Sequence, residues 1–115
     1  MKKTKKLTMK DLDVIWSKLI HKKYDNKCAI CGATPCQAHH IFSRTYRSTR
    51  WDLDNGIALC YRHHFHFAHS KFEEFRDWVI DYISQEKYDT VKEKSREIMK
   101  EPLETSLQRL KDLED

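Results

Sequence analysis

Cys28, Cys31, Cys60 and His63 stand in the spacing C-x2-C-x28-C-x2-H. Zinc takes four tetrahedral ligands drawn from thiolate and imidazole, and two close pairs brought together by a hairpin supply them. The spacing therefore predicts a structural zinc site. Two disulfides are the weaker reading of four cysteines in a chain expected to sit in a reducing compartment. Cys36 fits neither pair and reads as a free, buried thiol, with the alternative that it replaces Cys31 or His63. His66 is a similar spare for His63.

A second pattern is interleaved with the first. His39, His40, Asn55 and His64 read H-H-x14-N-x8-H. A structural zinc module alone has no need of these groups. Neighbouring side chains on a strand point to opposite faces, so His39 and His40 can do two jobs, one on each side. A neutral imidazole can take a proton from water or bind a divalent ion. His69 is a further candidate ligand, but five residues beyond His64 it lies about 140° around a regular helix, out of line unless the helix ends there. His21 reads as an ordinary surface histidine. Arg44, Arg47 and Arg50 recur at every third residue, with Tyr46 among them and Trp51 directly after. Guanidinium forks suit phosphate oxygens, so this loop is expected to track a DNA backbone together with the N-terminal lysines. The competing reading is a solvated loop with an arginine paired to Asp52 or Asp54.

These residues need elements to hold them. The pattern predicts one domain over 1–115 in three zones. In 7–23, Thr8 and Asp11 resemble a capping box ahead of Leu12, Ile15, Trp16, Leu19 and Ile20 at helical spacing. Residues 24–70 hold every cysteine and six of the seven histidines with little helical periodicity. There Ala38–Phe42 and Ile57–Leu59 are expected to pair as strands, with a helix beginning near Tyr61. Residues 71–115 are helical again. Ser70 and Glu73 suggest a second capping box, and Phe72, Phe75, Trp78, Val79, Tyr82 and Ile83 form a stripe expected to pack on the N-terminal helix. Two more helices are expected, over 86–100 and after Pro102. The last carries Leu103, Leu107, Leu110 and Leu113, a face that could dock on the domain or pair with a second copy, so monomer and dimer both stand.

Charge narrows the partner. Residues 1–27 hold nine Lys against three Asp, and 28–71 hold five Lys/Arg against two Asp. Residues 72–115 reverse the balance, with eight Lys/Arg against thirteen Asp/Glu. A basic first part followed by an acidic one points to a polyanion met by the Cys/His region. No apolar run approaches a membrane span and the N-terminus lacks a secretory stretch, so a cytoplasmic location is expected.

The stretches CAIC (28–31), AHHI (38–41), LDNG (53–56) and LCYRHH (59–64) resemble the HNH endonucleases, whose site is the ββα-metal or His-Me finger. The likeness covers about residues 28–70 and is greatest to small phage-associated members with a zinc-clipped finger. Relatives with four zinc thiolates have cysteine where this chain has His63. The resemblance implies an α+β fold in which a ββα-metal finger with a structural zinc site is flanked by an N-terminal helix and C-terminal helices. It implies a metal-dependent DNA endonuclease of low to modest sequence specificity, with His40 as general base and Asn55 holding its loop. His39 and His64, with His69 as a third, would hold one divalent ion (Mg2+, Mn2+ or Ni2+). It also suggests phage packaging, recombination or restriction components as neighbours. The alternative is a non-catalytic zinc module that binds nucleic acid. A zinc nucleobase deaminase is excluded, since its H-x-E signature occurs nowhere in the chain.

Overall fold

The computed structural model describes residues 6–114. Lys2, Lys3 and Lys5, expected to follow DNA, lie outside the described residues. Helix α1 (Met9–Lys23) opens as the sequence predicts. Asp11 Oδ2 accepts from the Thr8 amide at 2.9 Å while Thr8 Oγ1 accepts from the Asp11 amide at 3.4 Å. It stops where Asp25 and Asn26 take φ of 55° and 58°. Leu12, Trp16, Leu19 and Ile20 are its buried face.

Strands β1 (Cys36–His40) and β2 (Gly56–Cys60) pair antiparallel, with Cys36 opposite Cys60 and His40 opposite Gly56. The first strand sits two residues earlier than its apolar run predicts. The Phe42 amide and carbonyl are both taken by the Asn55 side chain, at 2.7 and 3.0 Å, so the ladder cannot continue past them. Between the strands, α2 (Arg47–Arg50) and a 3-10 turn (Leu53–Asn55) fold the connecting loop. After β2 come α3 (Tyr61–His63) and, continuing it, a π-helical turn over His64–Ala68. Helices α4 (Phe72–Ile83), α5 (Gln85–Ser95) and α6 (Leu103–Asp112) complete the chain.

The two-stranded sheet is covered on both faces, which strand alternation makes possible. On one face Ala58 packs with Leu12, Trp16, Ile20 and Leu110 of α1 and α6. On the other, Ile57 and Leu59 pack with Phe75 and Val79 of α4 and Tyr88 of α5. The aromatic stripe of α4 therefore covers the sheet rather than packing on α1 as expected. Only Phe75 and Val79 of it are fully buried, and Phe72 is 65% exposed. The leucine face of α6 docks on α1. The second capping box does not form, because the Ser70 hydroxyl donates to the Phe65 carbonyl at 2.7 Å instead. Helix α5 ends at Ser95, five residues short of the expected end.

Gly56 makes the closest fit between α1 and the sheet. A Cβ there would lie 2.6 Å from Trp16 Cζ2 and still closer to Ile20. Its φ of −129° is open to any residue, so closeness and not conformation requires glycine.

Candidate active site and zinc clip

The CAIC knuckle is a tight turn in which the Gly32 amide donates to the Cys28 carbonyl at 2.8 Å and Gly32 takes φ of 75°. Cys60 ends β2 and His63 follows within the first turn of α3. The four ligand atoms of Cys28, Cys31, Cys60 and His63 all lie within 4.8 Å of one another. His63 Nδ1 is 3.6 Å from Cys28 Sγ and 3.3 Å from Cys60 Sγ, and the Cys31 and Cys60 sulfurs are 3.7 Å apart. A zinc tetrahedron with Zn–S of about 2.3 Å and Zn–N of about 2.0 Å has S···S edges of about 3.8 Å and S···N edges of about 3.5 Å. The donor set and spacing fit zinc, and no cysteine is in a disulfide. Burial raises the Cys28 thiol, but amides of Cys60, Cys31 and Ile30 together with His63 outweigh it and bring the thiol down to about 6. A thiol so poised gives up its proton to a metal readily. Cys36 and His66 stand outside this cluster.

The second cluster forms on the α4 face of the sheet. Ligand nitrogens of His39, His64 and His69 lie within 4.8 Å of one another. The His64 and His69 Nε2 atoms are 3.1 Å apart. His69 was expected out of line on a regular helix. The π-helical turn removes that objection, since its i→i+5 bond from the His69 amide to the His64 carbonyl, at 3.1 Å, sets His69 over His64. The Gln37 amide oxygen accepts from His64 Nδ1 at 2.6 Å, which leaves Nε2 as the free donor pair. Burial first, then the neighbouring His64, His69 and His40, pushes His39 down to about 3, so it stays neutral and able to ligate. Burial, then His69, also lowers His64.

His40 points to the other face. Its ring stacks on Trp16 with centroids 3.9 Å apart and planes 6° from parallel. Its Nε2 meets the Arg50 carbonyl at 2.8 Å. A carbonyl only accepts, so Nε2 carries the hydrogen and Nδ1 keeps its lone pair. Burial lowers the His40 pKa, outweighing the Arg50 carbonyl and Asp13, which raise it. Asn55 is fully buried. Besides its two bonds to Phe42 it donates to the Thr49 carbonyl at 3.0 Å, tying both ends of the loop that carries Arg50.

Residues 28–72 match the family model described as HNH endonuclease. This segment belongs to the HNH endonuclease family. No curated protein and no solved structure matches the chain. The fold around the HNH segment is α+β, a two-stranded antiparallel sheet and helices with a Cys/His cluster that could hold zinc, as the sequence implied.

The arginine loop of the HNH segment departs from expectation. Arg50 is locked in a fork with Asp13, at 2.9 and 2.7 Å, rather than with Asp52 or Asp54. Arg47 donates to the Glu101 carbonyl and lies against Trp51. Both guanidinium groups hold the loop to its surroundings and are not free for phosphate; Arg44 alone of the three is exposed. His21 also differs from expectation. It bridges α1 to β1, with Nε2 3.0 Å from the Cys36 carbonyl.

Sequence reading missed three contributors to the HNH site. Trp16, which its helical spacing marks only as part of an apolar face, is 2% exposed and is also the platform under His40. Asp13 gave no signal, because its partners Arg50 and Trp51 are 37 and 38 positions away. Gln37 carries no motif signal of its own beside the histidines. Strand alternation was the available cue, since it places Gln37 and His39 on one face.

Proposed function

We propose that the protein is a metal-dependent DNA endonuclease that hydrolyses phosphodiester bonds, with His40 as general base. The observation that carries this reading is the pairing of adjacent histidines with opposite commitments. His39 joins a three-imidazole cluster, while His40 has its Nε2 proton spent on the Arg50 carbonyl and its Nδ1 free. Membership of residues 28–72 in the HNH endonuclease family supports it.

In this reading His40 Nδ1 takes a proton from water as the water oxygen bonds to phosphorus and the bond to the 3′ oxygen breaks. The Trp16 ring and the Arg50 carbonyl fix the plane and tautomer of His40, so the base needs no reorientation in the reaction. His39, His64 and His69 would hold one divalent ion, Mg2+, Mn2+ or Ni2+, whose charge would polarise a phosphoryl group and stabilise the leaving oxygen. Cys28, Cys31, Cys60 and His63 would hold Zn2+ that clips the strand to the helix bearing His64. Asn55 acts through the loop and is a positioning residue. Arg44 is left to meet a backbone phosphate. Among the described residues no helix is long and apolar enough to cross a membrane.

The test is incubation of supercoiled plasmid with wild type and His40→Ala, with EDTA and then each divalent ion in turn. Nicked or linear product from the wild type alone, and only with an ion, is expected. Plasmid retarded on a gel but never cut would refute the enzyme and favour a non-catalytic zinc module.

A further inference from the structure

Beside the imidazole cluster is a pocket of about 220 Å³ whose wall includes His39 itself. Phe42, Phe72, Phe75, Arg76 and Tyr88 line it as well. Its volume is below the roughly 300–1,000 Å³ of sites that enclose drug-sized ligands, which suits one ring system rather than several. The walls are aromatic. Phe42 and Tyr88 have ring centroids 5.0 Å apart, Phe75 meets His39 edge-on at 5.4 Å, and Phe72 at the mouth is 65% exposed.

Two polar groups in this apolar setting have no structural employment. Tyr88 is 9% exposed as a residue, and its hydroxyl, which reaches solvent, bonds to no other described residue. Arg76 is exposed and pairs with no carboxylate among the described residues, although Glu73 and Asp77 are near it on α4. Its charge reaches the Tyr88 phenol, opposing the rise that burial causes there. Stacking surface, one edge-directed hydroxyl and one unpaired guanidinium are what a single nucleotide asks of a site: a face for its base, a partner for the base edge and a cation for its phosphate.

We propose that this pocket is a nucleotide subsite that takes the base next to the scissile phosphate, stacked against Phe72 and Phe42, with Tyr88 at its edge and Arg76 on the adjoining phosphate. The inference rests on the endonuclease reading above, since His39 is shared between the pocket and the cluster that would hold the phosphate. A base paired within a duplex is stacked between its neighbours and cannot turn a face to these rings. Bases already unpaired, in single strands, flaps or mismatches, enter without the cost of unstacking. The subsite therefore makes the enzyme select DNA with an unpaired nucleotide at the cut.

The test uses full-length, zinc-loaded protein and the variants Phe72→Ala and Arg76→Ala, both at exposed positions, with melting temperature and zinc content as controls for folding. Thymidine 5′-monophosphate is titrated into each protein, followed by NMR. Shifts centred on Phe42, Phe72, Arg76 and Tyr88 are expected in the wild type and lost in both variants. In parallel, metal-activated cleavage of a single-stranded oligonucleotide, the same sequence in full duplex, and the single strand carrying an abasic unit beside the cut are compared. The single strand is expected to be cut faster than the duplex. The abasic unit and Phe72→Ala are each expected to slow single-strand cutting by about five- to a hundredfold, the range of one lost base stack, and not to add when combined.

If wild type cuts but neither the abasic unit nor the variants change the rate, the subsite is refuted while the endonuclease stands. If no metal gives cleavage, the endonuclease fails, and the titration alone decides the pocket. Shifts lost in the variants would still uphold a nucleotide site, and absent or unaltered shifts would overturn it.

Discussion

Replacing Asn55 by alanine tests whether the loop that carries the Arg50 carbonyl is held by one buried amide. Asn55 is fully enclosed, and its side chain makes three bonds of 2.7 to 3.0 Å with Phe42 N, Phe42 O and Thr49 O. Truncation leaves one amide and two carbonyls without partners. A buried group left unsatisfied costs about 1–3 kcal/mol, and water entering the vacated space offsets part of that, so the lower end is taken for each, about 3 kcal/mol in total. Domains of this size are stable by about 5–15 kcal/mol, so the loss is a large share of the whole. With a urea slope of about 1.5 kcal/mol/M, the unfolding midpoint falls by about 2 M. Asn55→Asp separates hydrogen bonding from packing. It keeps the shape and the acceptor for the Phe42 amide but turns an oxygen toward two carbonyls, so it is expected to lose no less than alanine does. Urea unfolding with saturating zinc is the assay, joined by amide exchange over residues 41–50. An Asn55→Ala protein whose midpoint and loop protection equal those of the wild type would refute the reasoning. So would an Asn55→Asp protein that matches the wild type.

Four further outcomes are expected. Cys28→Ala should lose its equivalent of bound zinc and the cooperative unfolding of the finger, read by a colorimetric zinc assay and calorimetry; unchanged zinc content would overturn the clip. His69→Ala should weaken Ni2+ binding, measured by titration calorimetry on zinc-loaded protein, by on the order of tenfold or more, and Gln37→Leu by about tenfold as a partner one shell out. Equal affinities would remove both from the site. Gly56→Ala should cost about 1–3 kcal/mol in thermal or urea unfolding, because α1 must back away from the strand. A neutral result would mean that Trp16 and Ile20 yield freely. Asp13→Asn should leave the charged Arg50 fork half-satisfied and lower stability by about 1–3 kcal/mol, with cleavage falling through the displaced Arg50 carbonyl; unchanged stability and cleavage together would make that fork incidental.

The sequence by itself determined which residues belong together by local rule. Zinc spacing needs two close pairs, and each pair is local in the chain, so the four residues that gather into a cluster able to hold zinc follow from four letters and their separations. The capping of α1 by Thr8 and the opposed faces of His39 and His40 are equally local, fixed by helix hydrogen bonding and by the pleat. The tertiary structure decided whatever depended on distant neighbours. A three-residue spacing cannot reveal that Asp13, on another helix, claims Arg50, or that the Glu101 carbonyl claims Arg47. Periodicity identified the α4 stripe but not its partner, since an apolar face fits any apolar face and only packing assigned it to the sheet. His69 joined its cluster only through a π turn, which a regular-helix projection excludes by construction. Residue types and short spacings fix which chemistry is on offer, whereas long-range contacts fix which of those groups remain free to perform it.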